Sequence, residues 1–348
     1  MNKPTAISSC ICLLCSANLL ANELNIYGLA HLSADHVDDG TSSSIYAASN
    51  SSRLGVNGEY RIDQNLYVFF QYETGVDLTA QGGNDGNGGA ESSGQVFTKG
   101  RPSYVGLKGE FGKALIGHMP FLDQWANEYN LFADQIGDLG NLWEASGIPG
   151  RSDNVIYYKS PAFSGINLSA TYVPEEGVDD SDYYLIKSNY ANKNLKLGLA
   201  YTNIGKTGVV GKEQTAYALT VGYYGNGYSL GGGFQQELDI GGIASNDRAS
   251  YSLAASMDWG EKGKVKLQVA TSTSDSEQAD ATQFAVGYDY QLAKNTTIYV
   301  AYAVMDNEDN VNFSVNGKGH GDKVVPVTGE DPSALSFGIV YQFDYKLF

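Results

Sequence analysis

The chain has 348 residues, with 39 acids against 22 Lys and Arg and a formal net charge of −17. That balance excludes a nucleic-acid binder, which needs a basic footprint to neutralise phosphate, and 42% hydrophobic content excludes wholesale disorder. All the cysteines, Cys10, Cys12 and Cys15, lie at the start of the chain, so no disulfide framework or Cys-ligated metal is available after them.

Residues 1–21 read as a secretory signal peptide: Lys3, then a short apolar stretch from Ala6 to Ala21 that ends on small residues. Residues 22–348 read as one domain. They contain no apolar run near the roughly 18 residues that a spanning helix needs, and helical periodicity is scarce. A period of two recurs instead. Leu66, Val68, Phe70 and Tyr72 alternate with Tyr67, Phe69, Gln71 and Glu73. Leu195, Leu197, Leu199 and Tyr201 do the same, as do Val265, Leu267 and Val269, and the longest set is Leu335, Phe337, Ile339, Tyr341 and Phe343. Such alternation places one face in an apolar medium and the other in a polar one.

In chain order the predicted strands are 24–35, 52–61, 65–77, 97–110, 112–118, 151–160, 164–173, 183–191, 194–204, 213–224, 227–237, 248–258, 264–273, 282–291, 296–306 and 334–347. Short and long connections alternate strictly between them. The short ones include Gly109-Glu110-Phe111-Gly112, Asn192-Lys193 and Gly225-Asn226; the long ones are 36–51, 78–95, 119–150, 174–182, 205–212, 238–247, 274–281 and 307–333. Sorting loops by end in this way marks a barrel in an outer membrane, with short periplasmic turns and long external loops. In hydrocarbon every backbone N–H and C=O needs a partner within the protein, and a closed sheet supplies it. The fold class is therefore all-β: a 16-stranded antiparallel transmembrane β-barrel, wide enough to leave an aqueous channel. The abundance of Tyr, 25 residues, fits aromatic girdles at the two interfaces.

The long connections hold 24 acids and four bases, Lys206, Lys212, Lys318 and Lys323, which leaves +2 for the rest of a mature chain of −18. The acidity thus belongs to one end of the molecule. It is expected to bind divalent cations that bridge to outer-leaflet lipopolysaccharide. The third connection, 119–150, is the longest, and it carries Asp123, Glu128, Asp134, Asp138 and Glu144 beside Trp125, Tyr129, Leu131, Phe132, Leu142 and Trp143. A loop this apolar is expected to fold against something rather than float.

Three stretches carry a resemblance: Ser52-Arg53-Leu54-Gly55-Val56-Asn57-Gly58, Arg101-Pro102-Ser103-Tyr104-Val105-Gly106-Leu107-Lys108-Gly109-Glu110-Phe111-Gly112, and Arg151-Ser152-Asp153-Asn154-Val155-Ile156-Tyr157-Tyr158-Lys159-Ser160-Pro161. In these the chain resembles the Gram-negative general-diffusion porins. The resemblance implies a homotrimer of 16-stranded barrels whose long third loop folds into the lumen. It also implies a constriction with Arg53, Arg101 and Arg151 as a basic wall and Asp123, Glu128, Asp134, Asp138 and Glu144 as candidate acids facing it. Phase agrees for Arg53, because Leu54 and Val56 point to lipid. Arg101 shares phase with Val105 and Leu107, so it faces the lumen only if Pro102 marks a bulge. Leu115 and His118 stand where the family often carries further bases, which weakens the expected wall. Phe343 is in phase with the lipid-facing set and terminal Phe348 is not.

The expected function is passive diffusion of small hydrophilic solutes, with no cofactor and no metal. Acids outnumber bases, so mild cation preference is expected, fading in high salt. Two other classes stand beside it: a substrate-specific channel, and an outer-membrane hydrolase. For the hydrolase, the four histidines His31, His36, His118 and His320 lack any Gly-x-Ser-x-Gly or His-Glu-x-x-His companion.

Overall fold

A computed structural model describes residues 23–79, 100–120, 129–143, 150–175, 181–207, 211–317, 319–321 and 324–347. The signal-peptide segment, the loop acids Asp123, Glu128 and Glu144, and Phe348 lie outside the described residues.

One antiparallel sheet accounts for nearly all of the structure. Its strands are β1 Glu23–Asp38, β2 Ser43–Ser49, β3 Arg53–Asp63, β4 Leu66–Gly75, β5 Ser103–Gly109, β6 Gly112–Pro120, β7 Arg151–Lys159, β8 Ile166–Val173 and β9 Tyr183–Ala191. They continue as β10 Leu195–Thr207, β11 Lys212–Tyr224, β12 Tyr228–Leu238, β13 Arg248–Trp259, β14 Gly263–Ser274, β15 Ala281–Ala293, β16 Thr296–Asn307 and β17 Ser333–Lys346. From β3 onward each strand pairs with the next in sequence, and β1 pairs with β17 from Asn25↔Lys346 to Asp38↔Ser333, so the sheet closes into a barrel. β2 lies along Leu32–Asp38 of β1 and β3 along Glu23–Leu29. The two are halves of one wall position, and the barrel has sixteen.

The break between those halves is local chemistry. Ser51 has φ 48°, a left-handed value, and Ser52 Oγ takes over the ladder by accepting from His31 N at 3.0 Å and donating to His31 O at 3.1 Å. The alternation places β2 in the first long loop, because Ser43-Ser44-Ile45-Tyr46-Ala47 has no clean period of two. A second difference concerns β5, which starts at Ser103 rather than at 97, since Pro102 has no N–H to give to a ladder.

The two faces differ as the medium requires. On β14, Leu267 is exposed outward while Lys266, Gln268, Ala270 and Ser272 point inward and are buried. Outward Tyr184 and Tyr201 pair at 6.1 Å, Tyr217 and Phe234 at 6.1 Å, and Phe234 and Tyr251 at 5.1 Å, forming an aromatic belt toward the long-loop end. Tyr223 and Tyr228 pair at 6.1 Å near the short turns and mark the other belt. The apolar core lies inside the lumen: Phe132, Ile136, Leu139, Leu142 and Trp143, all on the third loop, pack with inward Ala285, Ala301, Ala303 and Met305.

Candidate pore constriction

The third loop leaves β6 and returns to β7; its described part is 129–143, ending in the single helical turn α1, Gly140–Trp143. Wall side chains hold it by its backbone. Lys266 Nζ donates to Leu131 O at 3.0 Å, Gln268 Nε2 to Gly137 O at 2.7 Å, Gln235 Nε2 to Trp143 O at 2.8 Å and Ser250 Oγ to Leu142 O at 3.3 Å. Those donors sit on β12, β13 and β14 in the phase opposite to exposed Leu230, Leu253 and Leu267. They therefore point into the lumen, and the described part of the loop lies there. Gly137 packs tightly against the wall: its φ is +88°, and a Cβ there would stand 2.5 Å from Ala285 Cβ.

Asp138 organises this loop from within. Oδ1 accepts from Asn130 Nδ2 at 2.7 Å and from Gly140 N at 2.8 Å, and Oδ2 accepts from Asp134 N at 2.7 Å. Burial pushes its carboxyl up to about 6, the nearby charge of Asp134 adds to this, and the three donors oppose it. Its carboxylate is turned into the loop. Asp134 points elsewhere, accepting from Ser51 Oγ at 3.0 Å beside the barrel wall at β3.

A second inward loop was not foreseen. The connection between β16 and β17 counts among the acidic rim loops by sequence, yet Val315, Asn316, His320 and Val324 are buried. Gly137 N donates to Val315 O at 2.7 Å, Ile136 bridges to Asn316, and Asn141 Nδ2 donates to Ser314 O. On the wall side, His320 Nε2 meets Asp35 Oδ2 at 3.1 Å, Gly321 N donates to Asn50 Oδ1 at 2.9 Å, and Ser51 Oγ lies 2.9 Å from Gly319 O. The signal available was its run of Val311, Phe313, Val315, Val324, Val325 and Val327, which a count of acids overlooks.

Across the lumen stands the basic wall. In a ring of sixteen, β5 lies opposite β13, so the strands carrying Arg53 (β3), Arg101 (before β5) and Arg151 (β7) face the side that holds the third loop. Arg53 points inward opposite exposed Leu54, and its side chain is about a third exposed. Pro102 interrupts the strand, and Arg101 turns to the lumen side, where Nε donates to Glu73 Oε1 at 2.8 Å. Glu73 Oε2 accepts from Tyr27 OH at 2.8 Å and lies 4.0 Å from Arg53 Nε. Arg151 and Asp134 are both within electrostatic reach of Arg101. Arg53 and Arg101 thus meet at one buried glutamate, with Arg151 in electrostatic reach of Arg101. Sequence reasoning passed over Glu73, although it stands in the polar phase of the β4 alternation. Leu115 is inward and buried, and His118 Nδ1 pairs with Asp153 Oδ1 at 2.8 Å, so neither adds a base to the wall.

Of the other histidines, His31 Nε2 lies 2.9 Å from Tyr299 OH, His320 holds Asp35, and His36 is exposed. Among the described residues no group of three or more His, Cys, Asp and Glu could hold a metal ion.

A closed barrel with an oily exterior and a polar lumen, narrowed by two inward loops opposite a cluster of arginines, defines a membrane channel. The chain belongs to the Gram-negative porins, whose family model matches residues 6–310. It is similar to outer membrane porin protein 32 of Delftia acidovorans, 29% identical over 369 residues that cover 98% of this chain and 100% of that one. Among solved structures it is similar to the anion-selective porin from Comamonas acidovorans, with TM-score 0.79 and 26% identity over 92% of this chain and 99% of that one. It shares its fold with in-vitro folded OmpT of Vibrio cholerae in trimer form, with TM-score 0.67 and 18% identity over 92% and 99% of the two chains. The protein is an outer-membrane porin, a diffusion channel and not an enzyme.

Proposed function

We propose that the channel passes small hydrophilic solutes and ions passively with a weak preference for anions, and that it works as a homotrimer. The anion preference replaces the cation preference expected from total charge. The whole-chain surplus of acids sits in the long loops, whereas the wall of the passage carries Arg53, Arg101 and Arg151 against Glu73. A solute in the narrow part is within a Debye length of about 8–10 Å of that wall, and much of the rim is not. The single observation that carries the proposal is the meeting of Arg53 and Arg101 at Glu73, with Arg151 in electrostatic reach of Arg101, opposite the inward loops. The anion-selective porin from Comamonas acidovorans, matched over 92% of this chain, supports the same sign. Support for the trimer comes from the trimer form of OmpT.

The constriction residues are accordingly Arg53, Arg101 and Arg151, with Asp134 as the described loop acid nearest to them. The test is the zero-current potential of the purified protein in a planar bilayer under a KCl gradient. Anion-sign potentials are expected, moving toward zero in the R53Q/R151Q double variant. A cation-sign potential in the unaltered protein overturns the proposal.

A further inference from the structure

We infer that the periplasmic mouth carries a second anion site, distinct from the constriction, that holds small multivalent oxyanions on a row of three lysines. The strand register builds it. Lys108 on β5 pairs directly with Lys113 on β6, and Lys113 pairs directly with Lys159 on β7. All three point inward, since Leu107, Ile116 and Tyr158 occupy the exposed outer phase of the same strands. They flank the Gly109–Gly112 turn and the Ser160-Pro161 turn, both at the short-turn end of the barrel. Neighbouring strands stand about 4.8 Å apart, so the three stems span roughly 10 Å.

Like charges directly opposite one another on a sheet are destabilising, and a sheet normally avoids them. Here compensation is incomplete. Lys108 is paired with Glu59, and Lys108 and Lys113 lie over the rings of Tyr67 and Tyr157 at 5.4 and 5.7 Å. Of the other nearby acids, Glu110 accepts from Asn65 Nδ2 at 2.7 Å, and Glu23, within electrostatic reach of Lys108, is paired with Lys346. Among the described residues neither Lys113 nor Lys159 forms an ion pair. The three lysines share one cavity of about 590 Å³ with Tyr67 and Glu110. Ammonium groups are point charges with rotatable donors, and a row of them suits an oxyanion with several charged oxygens better than it suits chloride. Phosphates and polycarboxylates share that chemistry. The site goes beyond the channel proposal and needs only an open lumen.

The experiment is single-channel recording in KCl with sodium pyrophosphate added to one chamber or the other, and citrate in a parallel arm. Expected is a sided block: pyrophosphate from one chamber reduces current at a concentration several-fold lower than from the other. In the K113Q/K159Q variant the blocking concentration rises about tenfold and the sidedness disappears, the order expected for losing two partly exposed charge contacts. K159Q alone, at the last residue of its strand, gives an intermediate rise; K264Q, which removes a lysine paired with Asp258 elsewhere on the wall, changes nothing. Stronger block by pyrophosphate than by citrate assigns the site to phosphates, and the reverse order to polycarboxylates. Block that is equal from both sides, or unchanged in K113Q/K159Q, overturns the inference. The conductance steps in the same traces report separately on the channel itself.

Discussion

Glu73 is the residue on which the basic wall turns. It is buried, accepts from Arg101 and Tyr27, and stands near Arg53. Replacing it with Gln removes the carboxylate that pairs with Arg101 and neighbours Arg53, and the E73Q channel is expected to show a stronger anion-sign potential. A potential shifted toward cations would mean that the arginines collapse without it. Arg101 is not equivalent: R101Q leaves Glu73 buried and short of its ion pair, which typically costs about 3–5 kcal/mol, so this variant should lose heat resistance on a gel. Asp138 acts on the loop instead. Its carboxyl is pushed up to about 6 by burial, above the value of an unfolded aspartate. A raised folded value means that docking is firmest below the unfolded value near 4 and weakens as pH rises through about 6, by up to about 3 kcal/mol. Amide exchange in 129–143, corrected for intrinsic rate, should therefore show more protection at pH 4.5 than at pH 7.5. Equal protection would remove Asp138 from the account. Of these residues, Arg53 was legible from alternation alone, because Leu54 and Val56 fix its phase. Glu73 was equally visible but unremarked, and the inward turn of Asp138 was not, since it depends on hydrogen bonds within one short loop.

At the scale of elements the strands are the legible part. A period of two follows from the two media, so each of the sixteen predicted runs has a strand at its centre, with ends moved by a few residues. The signal fails where the medium no longer alternates. β2 is mostly exposed and shows no pattern, and Pro102 ends a run that the apolar residues alone would continue. Loops carry no periodicity, so their path rests on composition. Aromatic residues betrayed the third loop, whereas the valines of the β16–β17 loop were masked by its acids. The two loops support each other through the Ile136–Asn316 bridge and the Gly137–Val315 hydrogen bond. Trp143 is fully buried between the third loop and the wall, and truncating such a side chain costs about 3–5 kcal/mol. W143A is expected to free the third loop and raise single-channel conductance while the barrel still folds. H320A should do the same more weakly, by releasing the other loop from Asp35. If W143A leaves conductance and current noise unchanged, the described part of the third loop does not limit the passage.

For the whole molecule, charge divides by segment, with the acids concentrated in the long loops. The long loops carry 24 acids and four bases, and everything else from residue 22 onward sums to +2. That partition is readable from the sequence, and the expected cation preference rested on the overall surplus of acids rather than on where they lie. The loops and the wall differ in how salt reaches them. Exposed loop acids such as Asp275, Glu277, Glu308 and Asp309 stand in open water and act over a Debye length, about 30 Å at 0.01 M and 10 Å at 0.1 M. The arginines around Glu73 are partly buried in a narrow passage and are screened much less. At very low salt the acidic rim should repel anions from the mouth and offset the wall. Raising salt removes the rim first, so anion preference should strengthen between 0.01 and 0.1 M before falling near 1 M, where the Debye length is about 3 Å. Zero-current potentials at a fixed concentration ratio, measured across that range, give the answer directly. A preference that only declines from 0.01 M upward would show that the rim does not act on the permeating ion, and the selectivity would then rest on the wall alone.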